Sequence, residues 1–131
     1  MTDTLLLVED DHALRTFLAD NLTADGYEML VAADAPAGLR ALEEHAPAVA
    51  IVDVELPGAS GLSLIADVRH ADARFARVDP AQRFIVLSGR GSELDRVCGL
   101  QQGADDYVAK PFDLPKLAAT VERNAALLAP A

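Results

Sequence analysis

Short apolar runs alternate along the chain with longer stretches in which apolar residues recur every three or four positions. Thr4 to Val8, Tyr27 to Ala32, Ala48 to Val52, Phe84 to Leu87 and Asp105 to Ala109 are of strand length. The nearly unbroken apolarity of the third and fourth predicts strands covered on both faces. Between the first two, Leu14, Phe17, Leu18 and Leu22 fall at helical spacing, and Gly26 supplies a stop. Asp34 before Ala35-Pro36 reads as an N-cap with proline in the first turn, opening a helix to about His45. A third helix is predicted from Gly61 to about Ala73 on Leu62, Leu64, Ile65 and Val68. A fourth carries Leu94, Val97, Cys98 and Leu100 and ends at Gly103, and Asp113 caps a fifth with Leu114, Leu117, Val121 and Leu128 as its buried stripe. There is no internal repeat. Strand and helix patterns in strict alternation predict an α/β protein, (βα)5, with a mostly parallel sheet.

Composition narrows the function. A chain of 131 residues, 51% hydrophobic, fits a single domain spanning 1–131 with a real core and argues against disorder. Eleven basic against 21 acidic residues leave a net charge of −10, which repels nucleic acid and anionic membranes, so direct DNA binding by this chain alone is not expected. Cys98 is the only cysteine, which excludes an internal disulfide and a cysteine-rich zinc site. No apolar run approaches the ~20 residues of a membrane span, and no basic segment precedes Leu5 as in a signal peptide. A soluble cytoplasmic protein is expected.

The chemistry sits where strands end. Glu9-Asp10-Asp11 closes the first apolar run, Asp53 closes the third, Ser88 the fourth, and Lys110-Pro111 follows the fifth. In a parallel α/β sheet ligands collect at the carboxyl ends of strands, so these distant groups are expected to converge. The segment after Asp53 contains Pro57, Gly58 and Gly61, which keep it from entering a helix at once and leave Asp53 exposed. A carboxylate there can attack phosphorus and form an acyl phosphate. Phosphoryl transfer relies on positioning and charge neutralisation, so a cation and a basic group are also needed. Glu9 and Asp10 offer oxygen ligands for Mg²⁺, Lys110 a point charge for phosphoryl oxygens, and Ser88 a hydroxyl.

Leu6-Leu7-Val8-Glu9-Asp10-Asp11, Ile51-Val52-Asp53, Val86-Leu87-Ser88 and the run Gly103 to Phe112 together resemble the receiver domain of two-component response regulators. The resemblance covers almost the whole chain, and the four motifs stand in the family's order. It implies a flavodoxin-like three-layer sandwich with strand order 2-1-3-4-5. It also implies that Asp53 accepts a phosphoryl group from the phosphohistidine of a sensor histidine kinase or a histidine phosphotransfer protein. Asp10 would bind Mg²⁺ directly, Glu9 largely through water, and the Glu55 carbonyl would join Asp53 to complete the protein ligands. Ser88 would bond the arriving phosphoryl group, Tyr107 would swing inward behind it, and Lys110, before a cis bond to Pro111, would hold its oxygens. Such a domain is a switch that controls a downstream protein partner and assists only its own phosphorylation and dephosphorylation.

Other residues have plainer readings. Asp11 reads as an acid of a helix's first turn. His12, His45 and His70 form no ligand-spaced cluster and read as surface residues, and Cys98 as a buried one. Several features depart from the family's usual pattern. The connection from His70 to Arg83 is long and carries Arg74, Arg77 and Arg83, which marks either a partner surface or a tolerated insertion. Arg96 and Lys116 stand where receivers linked to winged-helix domains place an opposed charge pair, and Thr120 where they place arginine, so the dimer of that subfamily is disfavoured. Glu55 and Arg90 each lie two residues past a site residue and are placed to screen a phosphoryl group from water. A stand-alone regulator is the leading expectation, with a receiver module of a longer DNA-binding or enzymatic protein as the alternative. A Mg²⁺-dependent phosphohydrolase with Asp53 as nucleophile is a third reading. Haloacid-dehalogenase-type phosphatases, however, carry that aspartate on the first strand.

Overall fold

The computed structural model describes residues 3–58, 60–70, 81–89, 103–110 and 113–127. Five strands, β1 (Thr4–Val8), β2 (Glu28–Ala32), β3 (Val49–Asp53), β4 (Arg83–Ser88) and β5 (Asp106–Ala109), form one parallel sheet in the order β2-β1-β3-β4-β5. The flavodoxin-like order implied by the resemblance is the one observed. Helices α1 (His12–Ala24), α2 (Ala35–His45), α3 (Gly61–Arg69) and a C-terminal helix (Leu114–Ala126) accompany it. The expected fourth helix, with Arg96 and Cys98, lies outside the described residues, as do Arg74, Arg77 and Arg90.

Period-two alternation sends successive strand side chains into two cores, one per face. Leu6, Val8, Ala50, Val52, Phe84 and Val86 meet Leu42 of α2 and Leu64, Ile65 and Val68 of α3. Leu5, Leu7, Val49, Ile51, Ile85, Leu87 and Val108 meet Leu18 and Leu22 of α1 and Leu117 and Val121 of the C-terminal helix. The apolar residues of β3 and β4 are fully buried, as their unbroken hydrophobicity predicts, and so are those of β1; each full burial of a Val, Leu, Ile or Phe side chain is worth about 1.5–3 kcal/mol. Phe17 departs from the expected buried stripe of α1: at 51% exposed it lies beside that stripe rather than on it.

Right-handed crossovers explain where the site falls. From β1 the chain runs outward through α1 to β2, then returns through α2 to β3 on the other side of β1, so α1 and α2 cover opposite faces. The loops leaving β1 and β3 therefore diverge, and a crevice opens between their carboxyl ends.

Asp34 and Asp113 cap helices as read from the sequence; Asp11, expected as an acid of a first turn, is instead the N-cap of α1, and Ser60 caps α3. The Asp11, Asp34 and Asp113 carboxylates accept from Ala13, Ala37 and Lys116 N–H at 2.9, 2.9 and 2.7 Å, and Ser60 Oγ from Leu62 N–H at 3.1 Å. The third helix is shorter than expected, closing with His70 as its C-cap. Its last residue, Arg69, reaches away from the helix: it donates to the Gly103 carbonyl at 2.9 Å, the Gln82 carbonyl at 2.6 Å and Asp105 at 2.9 Å. Arg83, read from the sequence as part of a basic insertion, begins β4 and pairs with Asp105 at 3.3 Å and Asn124 at 2.7 Å. This polar knot ties α3, β4, the entry of β5 and the C-terminal helix together at the end of the sheet opposite the crevice.

Among the described glycines, Gly61 leaves the least room between helix and sheet. A Cβ there would stand 2.1 Å from the Asp53 carbonyl oxygen and 2.7 Å from Val52 Cγ1, and neither backbone nor buried core can yield. Gly61→Ala is therefore expected to lower the unfolding free energy by about 2–3 kcal/mol in urea titrations, as overpacking of a dense core does. A variant as stable as wild type would contradict this packing.

Candidate functional site

Three strand ends build the site. Asp53 is the last residue of β3, in register with Leu87. The chain continues straight for one more residue, with Val54 N–H donating to the Leu87 carbonyl at 2.9 Å, before Gly61 N–H returns to the Val54 carbonyl at 3.1 Å. Glu9 leaves β1 with its N–H bonded to the Ala32 carbonyl at 3.0 Å. Lys110 follows β5, its N–H bonded to the Ser88 carbonyl at 2.6 Å.

The side chains converge. Lys110 Nζ donates to Asp53 Oδ2 at 2.9 Å and to Glu9 Oε1 at 3.0 Å, while Glu55 N–H donates to Asp53 Oδ1 at 2.9 Å. Asp53 is only 2% exposed, which corrects the expectation of an exposed aspartate. The strand carries it one residue further than the apolar run indicates, and Glu9, Lys110 and the start of α3 close over it. Glu9 is fully buried and Asp10 is exposed. Oxygens of Glu9, Asp10 and Asp53 lie within 4.8 Å of one another.

Electrostatics divide the labour. Burial, reinforced by the adjacent Asp53, pushes Glu9 up to about 7, against the pull of Lys110. Burial also opposes charge on Asp53, but the neighbouring Glu9 together with bonds from Lys110 and the Glu55 N–H outweighs it and holds Asp53 below the usual carboxylate range. Lys110 is held above its ordinary value because its bonds to Asp53 and Glu9 overcome its own desolvation. Asp53 is thus kept as an anion beside a cationic Lys110. Glu9 Oε2 is buried with no hydrogen-bond partner among the described residues, although such an atom carries a desolvation penalty when left unpaired. Three clustered carboxylates against one ammonium, all hard oxygen donors with one oxygen unsatisfied, fit a small divalent cation such as Mg²⁺.

Residues 5–122 match the family model described as the response regulator receiver domain. The chain belongs to that family. The receiver domain is 40% identical over 108 residues to the transcriptional regulatory protein AfsQ1 of Streptomyces coelicolor, covering 82% of this chain and 44% of that protein. It is 37% identical over 126 residues to the transcriptional regulatory protein KdpE of Mycobacterium tuberculosis, covering 93% and 52%. Among solved structures it superposes on a CheY-like response regulator receiver domain protein from Methanospirillum hungatei with a TM-score of 0.83 at 27% identity, covering 97% of this chain and 96% of that one. The receiver domain spans about half the length of the curated relatives it matches.

The remaining expected residues surround the cluster. Ser88 ends β4 beside Asp53 and is 1% exposed. Tyr107 is half-buried on β5, paired with Val86 and packed on the α2–α3 core. Glu55 is exposed and reaches Asp53 through its backbone N–H. Pro111 and Phe112 lie outside the described residues. His12, His45 and His70 are all exposed, as read from the sequence. Thr120 is 5% exposed and donates its hydroxyl to the Lys116 carbonyl at 2.9 Å. One residue was missed: Arg15 of α1 donates from Nη1 to the carbonyls of Glu9 at 2.8 Å and Asp10 at 3.3 Å. Its position four residues after the N-cap Asp11, one turn back toward the acids, was the available signal.

Glu9 makes the site costly to fold. With a folded pKa of about 7 against an ordinary 4.5, the native state keeps a proton between those values that the unfolded chain releases. Stability from this group is therefore lost as pH rises through that window. In metal-free buffer Glu9→Gln is expected to raise the melting temperature at pH 8 and to change it little at pH 5. A variant melting below wild type at pH 8 would contradict the assignment.

Proposed function

We propose that the chain is one receiver domain, a phosphorylation-dependent switch whose acceptor is Asp53. The observation that carries this reading is the buried Asp53 carboxylate gripped by Lys110 Nζ at 2.9 Å and the Glu55 N–H at 2.9 Å beside two further acids. An Asp53 oxygen attacks the phosphorus of a phosphohistidine on a sensor kinase or phosphotransfer protein. The new O–P bond forms as the P–N bond breaks, its electron pair leaving on the imidazole. Lys110 then holds phosphoryl oxygens, and the Ser88 hydroxyl donates to another. Glu9, mainly through water, with Asp10, Asp53 and the Glu55 carbonyl would hold Mg²⁺, whose charge neutralises the carboxylates and the transferred group.

The output follows from β5, which carries Tyr107, leads into Lys110, and begins with Asp106. Asp106 accepts from Asn124 at 3.1 Å and from Arg123 of the C-terminal helix. Inward movement of Ser88 and Tyr107 would thus be felt by that helix and bias a surface read by a protein partner. No helix among the described residues is long and apolar enough to cross a membrane, and the setting proposed is the cytoplasm. A net charge of −10 leaves DNA contact to another domain or protein. A stand-alone regulator remains one form of this reading. The other, the receiver module of a longer transcriptional regulator, is supported by relatives of about twice this length.

Incubation with acetyl phosphate and Mg²⁺ followed by intact mass measurement is expected to give one phosphoryl adduct on wild type and none on Asp53→Asn. An adduct on both, or on neither, would overturn the assignment. Glu55 and Arg90 are proposed to shield the acyl phosphate from water, so Arg90→Ala should hasten its decay, and a wild-type decay rate would dismiss this role.

A further inference from the structure

Glu9 and Asp10 sit on the short segment between β1 and the N-cap of α1, where neither ladder governs the backbone. The Glu9 N–H is tied to Ala32, and Asp11 caps the helix, but the Glu9 and Asp10 carbonyls precede the helix and have no helical donor. Arg15 supplies one. Its Nη1 lies 2.8 Å from the Glu9 carbonyl and 3.3 Å from the Asp10 carbonyl, and Nη2 lies 3.1 Å from His12 Nδ1. The planar fork spans the whole turn, from the last residue before the cap to the first residue of the helix.

We propose that Arg15 is a positioning residue for the divalent-cation site, holding the Glu9-Asp10 backbone so that both carboxylates face Asp53. This rests on the reading of Glu9, Asp10 and Asp53 as cation ligands. Two effects of Arg15 oppose each other, and their signs separate them. As a positive charge beside Glu9 and Asp10 it weakens cation binding. As a donor ordering the backbone beneath two ligands it strengthens binding, the way groups behind metal ligands do. Asp10 makes the second effect dominant: it is exposed and no neighbouring side chain among the described residues holds its carboxylate, so the backbone alone aims it.

The test is calorimetric titration of Mg²⁺ into wild type, Arg15→Gln and Arg15→Lys, with melting of each metal-free protein as a control for folding. Arg15→Gln is expected to bind Mg²⁺ about tenfold more weakly, although it removes a repelling charge. Arg15→Lys keeps the repelling charge but loses the fork, so it should bind Mg²⁺ at least as weakly as Arg15→Gln. Adduct formation with acetyl phosphate should return toward wild type at saturating Mg²⁺, which separates a loosened site from a damaged acceptor. Equal or tighter binding by Arg15→Gln would overturn the proposal. If that variant fails to fold, wild-type affinity in Arg15→Lys would overturn it instead. Absence of Mg²⁺ binding in wild type would reject the cation site itself, a separate outcome.

Discussion

A single ammonium group holds three strand ends together. Lys110 Nζ bridges Glu9 and Asp53, so the ends of β1, β3 and β5 meet at one atom. Both carboxylates are buried, and burying unpaired charge is prohibitive, so this bridge is the condition on which the pocket exists. It is also incomplete. One ammonium cannot neutralise three acids, and the unsatisfied Glu9 oxygen marks where the shortfall is felt. The pocket is preorganised around positive charge that the protein supplies only in part.

The fold makes this tolerable by stabilising the opposite end. Asp105 accepts from Arg69, pairs with Arg83 and takes the Phe84 N–H at 2.8 Å, while the Arg69 guanidinium lies 5.2 Å over the Phe84 ring. The amino ends of β4 and β5 are thereby locked to α3 and to the C-terminal helix. The carboxyl ends carry, besides the backbone bond from Lys110 to Ser88, the ammonium bridge to Glu9 and Asp53, which a cation or a phosphoryl group can redistribute. A strand anchored at its start and electrostatically poised at its end is suited to carry a local change in charge to the helix packed against it.

Much of this was legible in the sequence because it follows from short-range rules. Unbroken runs such as Val49 to Val52 demand burial on both faces, and Asp34 before Ala35-Pro36 has few uses besides opening a helix. The convergence of Glu9, Asp10, Asp53 and Lys110 needed only the rule that parallel sheets gather ligands at strand ends. Burial of Asp53 was hidden because it depends on Lys110, whose Nζ donates to its carboxylate at 2.9 Å from 57 residues away, a contact that no periodicity encodes. Arg83 was misread for a related reason: a basic residue near a long connection looks like surface until its partners, Asp105 and Asn124, are known to be neighbours.

Amide shifts during Mg²⁺ titration of uniformly labelled protein test the shared pocket most directly. The structure predicts saturable shifts of one affinity at Asp10, Asp53, Glu55 and Lys110, with the amides around Arg69 and Asp105 unmoved. Weak, unsaturated shifts scattered over the acidic surface would contradict a single pocket built from three strand ends.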